Sequence, residues 1–309
     1  MFFAVSGYLF AVKTDLGCQP HWYSTTLKKR VKSLLVPYLI WCTINAVSFV
    51  PFKMYGNHLA GRNLTSGLPM PKRPLLSIWN ICGIYGITRR HPGSPILWFI
   101  RSLMFMFLIS PLYFSLFKKR ITAILLLAFA FTMLVIEWKT PTFLTYFGFS
   151  FFEVFYFMLG IFFAFYPISR DSFPLIRRIL PLLWIIVNLV TTVYFWLGLL
   201  KMSFHILSVL NSLLGMGSIW VLTDSIRPLS ELGNRRIAKD TFFLYMFHYL
   251  VLTFFFCNTV EKVFLYRLHI PVTVIFFSRF VVATFSSLMA AEWMKKHLPK
   301  TYRILTGGR

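Results

Sequence analysis

The chain contains eight apolar runs that are each long enough to cross a lipid bilayer, and this feature leaves few possible folds. A shorter apolar run covers residues 1–12, and the long ones lie at about 34–52, 96–116, 121–138, 145–166, 179–200, 204–224, 241–257 and 271–294. A spanning helix needs roughly 20 apolar residues. In lipid the backbone must satisfy its own hydrogen bonds, so such runs predict helices. We therefore predict an all-α, polytopic transmembrane bundle of about nine spans.

The proportion of charged residues excludes a soluble protein. Only 13% of the 309 residues are charged and 57% are hydrophobic, whereas soluble domains carry about 25% charged residues. Too few polar side chains remain to cover a water-exposed surface. Because no internal repeat or low-complexity linker interrupts the series of apolar runs, we predict a single integral-membrane domain over residues 1–309.

The basic residues predict an orientation for this bundle. Twenty of the 32 Lys and Arg residues fall on one side, in segments 13–32, 118–120, 170–178, 227–239 and 295–309. Ten fall on the other side, six of them in the long loop 53–95. Long loops count little in the positive-inside rule. The first side, which includes the C-terminus, is therefore predicted to be cytoplasmic, and loop 53–95 to be extracytoplasmic.

The net charge of +23 follows largely from this bias, and two interpretations of it stay open. The basic residues can anchor the chain to anionic lipid headgroups. Some of them can instead bind a phosphorylated cytosolic ligand. We expect the lipid bilayer itself as a partner and no nucleic acid.

Four ionisable residues lie inside predicted spans, where such groups are costly and commonly functional. Glu153, His248 and Arg279 each lie roughly 12–14 Å below the outer surface at about 1.5 Å per residue, and Arg101 lies slightly nearer that surface. One interpretation is a buried Glu153–Arg279 ion pair with His248 hydrogen-bonded to a neighbour. The other is a polar cavity where a hydroxyl is deprotonated and an oxyanion stabilised. Of the four, only His248 has an ordinary pKa suited to proton transfer near neutral pH.

Two further patterns in the polar residues bear on the site. Asn188 and Asn211 lie within spans and are predicted to hold helices together by hydrogen bonds. The six histidines other than His248 are dispersed along the chain. We therefore predict no metal site.

Five motifs in order resemble the acyltransferase 3 family of integral-membrane acyltransferases, which have about ten helices. They are FFAVSGYLF (residues 2–10), KKRVKSLLVPYLIW (28–41), SPILWFIRSLMFMFLISPLY (94–113), FYFMLGIFFAF (155–165) and TFFLYMFHYLVL (241–252). The first motif resembles the family's second helix. The resemblance therefore implies that this chain lacks the family's first helix and the His on it that is regarded as the catalytic base.

The resemblance also implies an activity and site residues. The donor would be a cytosolic acyl-CoA, usually acetyl-CoA, and the acceptor a hydroxyl of a glycan or glycolipid at the outer face of a bacterial inner membrane. Of the residues that match family positions, Lys29, Arg30 and Lys32 would bind the CoA phosphates, Ser6 and Gly7 would form a close-packed small-residue turn at the cavity, and Trp98, Arg101, Tyr245 and His248 would line it. The candidate catalytic residues are His248, Arg101, Glu153 and Arg279.

The hypothesis from the sequence is a membrane-bound O-acyltransferase that modifies a surface polysaccharide or its lipid-linked precursor. Two alternatives stay open. A transporter or flippase for a glycolipid or polar solute would also line a pathway with intramembrane charges, although no inverted repeat of the kind seen in transporters is evident. The other alternative is an inactive acyltransferase homologue.

Overall fold

The fold is known from a computed structural model, and it consists of helices joined by turns. The residues it describes are 2–15, 21–45, 97–137, 139–146, 149–167, 174–197, 204–225, 240–251 and 270–308. Within these ranges there is no β-strand, as an all-α fold requires. The predicted loop 53–95 lies outside the described residues.

Thirteen helical segments and one π-helical segment account for nearly all of the described chain. In order they are α1 (Phe2–Lys13), α2 (Trp22–Arg30), the π segment (Val31–Leu35), α3 (36–45), α4 (Trp98–Leu108), α5 (Ser110–Phe117), α6 (Arg120–Glu137), α7 (Phe143–Tyr146), α8 (Phe151–Phe165), α9 (Pro174–Trp196), α10 (Phe204–Ser225), α11 (Thr241–Val251), α12 (Val272–His297) and α13 (Pro299–Leu305).

Two of the described helices are long and apolar enough to cross a membrane. They are α6 and the stretch Pro174–Tyr194 of α9, and α4 with α5 makes a third if this broken pair counts as one span. The break falls at Ile109, two residues before Pro111, whose ring disfavours continuation of the preceding helix. Four shorter apolar helices also occur, Phe2–Lys13, Phe151–Phe165, Val209–Leu222 and Thr241–Val251. The total of nine spans stays a prediction.

The chain divides into two compact units that interleave in sequence. Unit 1 comprises Met1–Tyr23, Ile109–Thr142 and Ser150–Ala238, and unit 2 comprises Ser24–Leu108, Phe143–Phe149 and Lys239–Arg309. Unit 1 therefore contains α1, α5, α6, α8, α9 and α10, and unit 2 contains α3, α4, α7 and α11–α13. The single domain over residues 1–309 remains a prediction.

In unit 1, α1 and α8 cross with their backbones in near contact. A Cβ atom on Gly160 would lie 1.9 Å from the carbonyl oxygen of Ala4, and one on Gly7 would lie 2.1 Å from that of Phe157. Small residues at such crossings let membrane helices approach closely, so that dispersion forces act over a large area. The two glycines are therefore required by the packing of α1 against α8.

The helix α8 begins at Phe151, six residues after the start of the predicted span. Ser150 is its N-cap: the Ser150 hydroxyl accepts from the backbone N–H of Phe152 at 3.1 Å, and the Ser150 N–H donates to Oε2 of Glu153 at 3.4 Å. Oε2 of Glu137 also accepts from the Ser150 hydroxyl and the Phe151 N–H, each at 2.7 Å. Glu153 is thus in the first turn of its helix, which begins later than the predicted span because Ser150 and Glu153 form an S-x-x-E capping box. The depth of Glu153 in the membrane stays a prediction.

A pair of asparagines joins α9 to α10 in unit 1. Nδ2 of Asn188 donates to Oδ1 of Asn211 at 2.9 Å, and Nδ2 of Asn211 donates to Oδ1 of Asn188 at 3.0 Å. The hydroxyl of Ser218 adds a bond to the carbonyl of Leu180 at 3.0 Å. The predicted interhelical role of Asn188 and Asn211 is confirmed.

In unit 2, the proline at position 37 gives a physical reason for the π segment that precedes it. The N–H of Val36 donates to the carbonyl of Val31, five residues back. The next residue, Pro37, has no N–H, and in a regular α-helix its ring would clash with the carbonyl of Ser33. The wider π turn relieves this clash. Such single-turn bulges occur frequently at functional sites.

We expect Gly160→Ala to destabilise the protein, because a methyl group there meets the backbone of α1. Overpacking of this kind costs about 1–3 kcal/mol. Gly217→Ala is the matched control, since its Cβ would meet only the end of the Leu180 side chain, which can move. Thermal unfolding of both variants in detergent measures the effect. Equal midpoints for the two variants would contradict the close crossing.

We also expect a favourable coupling between Asn188 and Asn211. Replacing either one by Leu leaves the other amide without this partner, and interhelical polar pairs of this kind contribute about 0.6–2 kcal/mol. The double Leu variant should therefore be more stable than the sum of the single losses predicts. Unfolding free energies of the four proteins give the coupling, and strict additivity would show that the pair contributes nothing.

Candidate functional site

Helices α4 and α11 of unit 2 meet through aromatic side chains and carry four of the predicted site residues. Trp98 and Arg101 are three residues apart on α4, and Tyr245 and His248 are three apart on α11, so each pair shares a helix face. The ring of Phe99 meets that of Tyr245 edge-on, with centroids 6.1 Å apart. The structure thus brings together the two helices that carry these four residues.

The hydrogen bond of His248 fixes which of its ring nitrogens can take up a proton. Nδ1 lies 2.9 Å from the carbonyl oxygen of Leu244. A carbonyl only accepts, so Nδ1 carries the hydrogen, and in the neutral ring Nε2 is left as an acceptor. The ring is half-buried and lies 6.1 Å from that of Tyr245. His248 therefore has the tautomer that a general base requires at Nε2.

Arg101 lies over the ring of Phe149, which is itself stacked on a second ring. Its Cζ lies 5.2 Å from the ring centroid of Phe149, which stacks on Phe105 with centroids 4.2 Å apart. A guanidinium over an aromatic face is stabilised by the ring quadrupole. Phe105 is four residues after Arg101 on α4 and could have been expected from that spacing. Phe149 is distant in sequence and had no local signal.

Arg279 and Glu153 are the other two charged candidates. Arg279 is half-buried on α12, which packs against α11. Glu153 is buried, belongs to unit 1 and takes part in the N-terminal cap of α8. A carboxylate at that position is favoured by the helix dipole. Its place in this cap is one physical reason for the burial of Glu153.

The basic residues near the π segment fall into two groups. Lys29 and Lys32 are exposed. Arg30 is half-buried, with its Cζ 4.7 Å from the ring centroid of Phe107 on α4. Arg30 is therefore fixed against the protein, whereas the two lysines extend into their surroundings. Lysine ammonium groups bind phosphate as point charges.

Helix α4 connects this basic region with Arg101. Phe107, which contacts Arg30, is six residues along the helix from Arg101, or roughly 9 Å at 1.5 Å per residue. The π segment also packs against α4. One rigid helix thus contacts the basic region at one end and carries Arg101 toward the other.

The remaining predicted residues lie on α1 of unit 1. Ser6 is half-buried, and Gly7 is buried against the backbone of α8. Gly7 therefore serves the close packing that the resemblance implied. In the part of the chain that the structure describes, no three His, Cys, Asp or Glu side chains form a group that could hold a metal ion.

Comparison with known proteins identifies the family of this chain. Residues 1–291 match the family model Acyl_transf_3, described as an acyltransferase domain. No curated protein and no solved structure gives a significant match. The match covers most of the 309 residues and includes every residue of the candidate site. The chain belongs to the acyltransferase 3 family, a family of membrane-embedded acyltransferases.

Proposed function

We propose that this protein is a membrane-bound O-acyltransferase that takes an acyl group, in the simplest case acetyl, from cytosolic acyl-CoA. The acceptor is a hydroxyl of a surface polysaccharide or lipid-linked glycan at the outer face of a bacterial inner membrane. The observation that carries this proposal is family membership over residues 1–291. The His248 tautomer, with Nε2 open to a hydroxyl proton, supports it.

In the proposed reaction the acceptor oxygen attacks the thioester carbonyl. Nε2 of His248 takes the hydroxyl proton as the new C–O bond forms. The C–S bond then breaks, and CoA leaves as its thiol with that proton. The guanidinium of Arg101 stabilises the negative charge that develops on the carbonyl oxygen. Trp98 and Tyr245 line the space beside these two groups, and Ser6 and Gly7 lie on α1. Arg279 and Glu153 stay as predicted contributors.

The donor phosphates are proposed to bind at Lys29, Arg30 and Lys32 on the cytoplasmic side. The exposure of the two lysines supports this assignment, because they are available to an anion from solution. The contact of Arg30 with Phe107 orients the basic region toward α4. The acyl arm of the donor would then extend along α4 toward Arg101.

The cytoplasmic placement of the C-terminus belongs to this proposal. It is supported by contacts between segments that the charge bias assigns to one side. Ser33 contacts Gly307, and Asp240 bonds Lys295 and Tyr302. Segments on opposite faces of a bilayer about 30 Å thick could not make such contacts.

The phosphate assignment predicts the effect of removing two charges. Lys29→Gln combined with Lys32→Gln should weaken acetyl-CoA binding about a hundredfold or more, since each charge-assisted bond contributes about 1.5–3 kcal/mol. Lys118→Gln combined with Lys119→Gln is the control, because these lysines are also exposed and lie on the same predicted side. Radiolabelled acetyl-CoA binding to the purified protein measures the difference. Equal affinities in the two double variants would remove the phosphate site from this segment.

The proton-transfer role predicts a separate effect for His248→Ala. Loss of a general base should lower acetyl transfer by roughly 10²–10⁴-fold and leave acetyl-CoA affinity unchanged. His297→Ala is the control, since His297 is exposed at the end of α12. Membranes that contain the protein, labelled acetyl-CoA and candidate glycolipids are the assay. Movement of glycolipid across vesicles without covalent labelling would contradict the acyltransferase proposal and favour a transporter.

A further inference from the structure

The C-terminal helix α13 contacts the π segment through a glycine. Gly307 follows the end of α13 and has a φ of +70°. The N–H of Gly308 donates to the carbonyl of Arg303 at 2.7 Å, and the N–H of Gly307 donates to the carbonyl of Ile304 at 3.1 Å. This is a Schellman C-cap, in which the residue at φ > 0 is most often glycine. A Cβ atom on Gly307 would lie 2.1 Å from the carbonyl oxygen of Ser33. The two backbones are therefore in direct contact.

Gly307 contacts the carbonyl of Ser33, which is also the carbonyl that loses a hydrogen-bond donor because residue 37 is proline. In a regular α-helix the carbonyl of Ser33 would accept from residue 37, but proline has no N–H to donate. The wider π turn reshapes this part of the helix, and Gly307 packs onto it. Lys32 immediately precedes Ser33. The position of the Lys32 backbone is therefore coupled to the position of Gly307.

Two hydrogen bonds hold α13 in this position, and a third, from α12, fixes the carboxylate that one of them uses. Nε1 of Trp41 donates to the carbonyl of Leu305 at 3.2 Å. The hydroxyl of Tyr302 donates to Oδ1 of Asp240 at 2.6 Å, and Nζ of Lys295 donates to Oδ2 of the same carboxylate at 2.6 Å. Asp240 is buried, and a buried carboxylate with both oxygens bonded is costly to displace.

Aromatic packing surrounds these bonds. The ring of Phe243 lies 5.3 Å from that of Tyr302 and 5.9 Å from that of Trp41, and all three side chains are buried. Such ring pairs contribute about 0.5–1.5 kcal/mol beyond the area they bury. Helix α13 is therefore docked on α3 and α11 by a packed interface.

Tyr302 and Lys295, the two groups that donate to Asp240, stay protonated near neutral pH. Burial, and then the hydrogen bond to Asp240, raise the pKa of Tyr302 above its ordinary value. Burial lowers the pKa of Lys295, but its hydrogen bonds to Asp240 and Glu292 outweigh this and raise it. Both groups keep their protons below about pH 10. The two hydrogen bonds to Asp240 therefore keep their donors across the physiological pH range.

We infer that α13 positions the basic π segment for the donor phosphates, with Gly307 and Tyr302 as positioning residues and Asp240 as their anchor. This inference rests on the proposed function. Residues 299–308 lie beyond the family match, which ends at 291, so family membership alone does not assign them a role. By fixing Ser33, α13 fixes the backbone from which Lys32 reaches an anion.

The test compares two adjacent glycines. In Gly307→Ala the added methyl group meets Ser33, so the π segment must shift. Gly308→Ala is the matched control, because Gly308 also has positive φ (+81°) but no atom lies within 4 Å of its Cβ position. Both variants carry similar backbone strain. We expect acetyl-CoA affinity to fall at least fivefold in Gly307→Ala and to stay within twofold in Gly308→Ala, by binding of radiolabelled acetyl-CoA to the purified proteins.

A double-mutant cycle separates positioning from general destabilisation. If Gly307 acts through Lys32, the loss caused by Gly307→Ala should shrink to less than twofold in a Lys32→Gln background. An equal loss in both backgrounds would overturn the inference, as would equal affinities of the two glycine variants. If Gly307→Ala does not fold, Tyr302→Phe, which removes one donor to Asp240 without a cavity, undergoes the same cycle.

The outcome also separates this inference from the proposed function. If the combined Lys29→Gln and Lys32→Gln variant binds acetyl-CoA as the unmodified protein does, the phosphate site itself is wrong. If that variant loses affinity while Gly307→Ala behaves as Gly308→Ala does, the phosphate site stands and the role of α13 is rejected.

Discussion

A helix in lipid has no water to bond its backbone, so each place where the helical pattern stops needs a partner from the protein. This constraint accounts for the hydrogen bonds at the start of α8 and for the widened turn before Pro37. At the start of α8, the N–H groups are bonded by Ser150 and Glu137. At the π segment, Pro37 removes a donor, and Gly307 packs on the affected carbonyl. After the break at Ile109, α5 begins at Ser110 with Pro111 in its first turn, where the missing N–H of proline is tolerated. A polar residue within an apolar run of this protein can therefore serve a helix end instead of chemistry.

Glu153 illustrates how this constraint changes an interpretation. From hydropathy alone it is an ionisable group within an apolar run, and such groups suggest function. The helix begins only at Phe151, however, and a carboxylate in the first turn is stabilised by the N-terminal end of the helix dipole. His248 differs, because its bond to Leu244 is an ordinary i−4 contact within α11 and caps nothing. The backbone constraint thus gives Glu153 a structural role, whereas Nε2 of His248 takes no part in holding the backbone.

Much of the local structure could be predicted from the sequence, and much of the site's surroundings could not. The helical fold and the Asn188–Asn211 pair follow from hydropathy and residue type. The N-cap at Ser150 could also be predicted from the sequence, since the pattern S-x-x-E marks the start of a helix. The Phe149 ring beneath Arg101 and the Gly307–Ser33 contact join residues far apart in the chain. Neither has a periodicity or spacing that signals it, because both depend on how separate helices pack.

Arg30 packs against the protein whereas Lys29 and Lys32 are exposed, and this difference follows from the chemistry of arginine and lysine. Arginine keeps its charge in any environment and stacks on aromatic rings, which suits Arg30 to its packed position against Phe107. Lysine carries a compact, strongly hydrated charge, which is better left in water until an anion replaces that water. The exposed Lys29 and Lys32 meet this condition. Two like charges held three residues apart repel each other, and a phosphate bound as proposed would relieve that repulsion. Without a phosphate, the two lysines could also relieve the repulsion by moving apart. A backbone fixed by α13 would prevent this movement, so the rigidity of the π segment would raise the affinity for the donor phosphates.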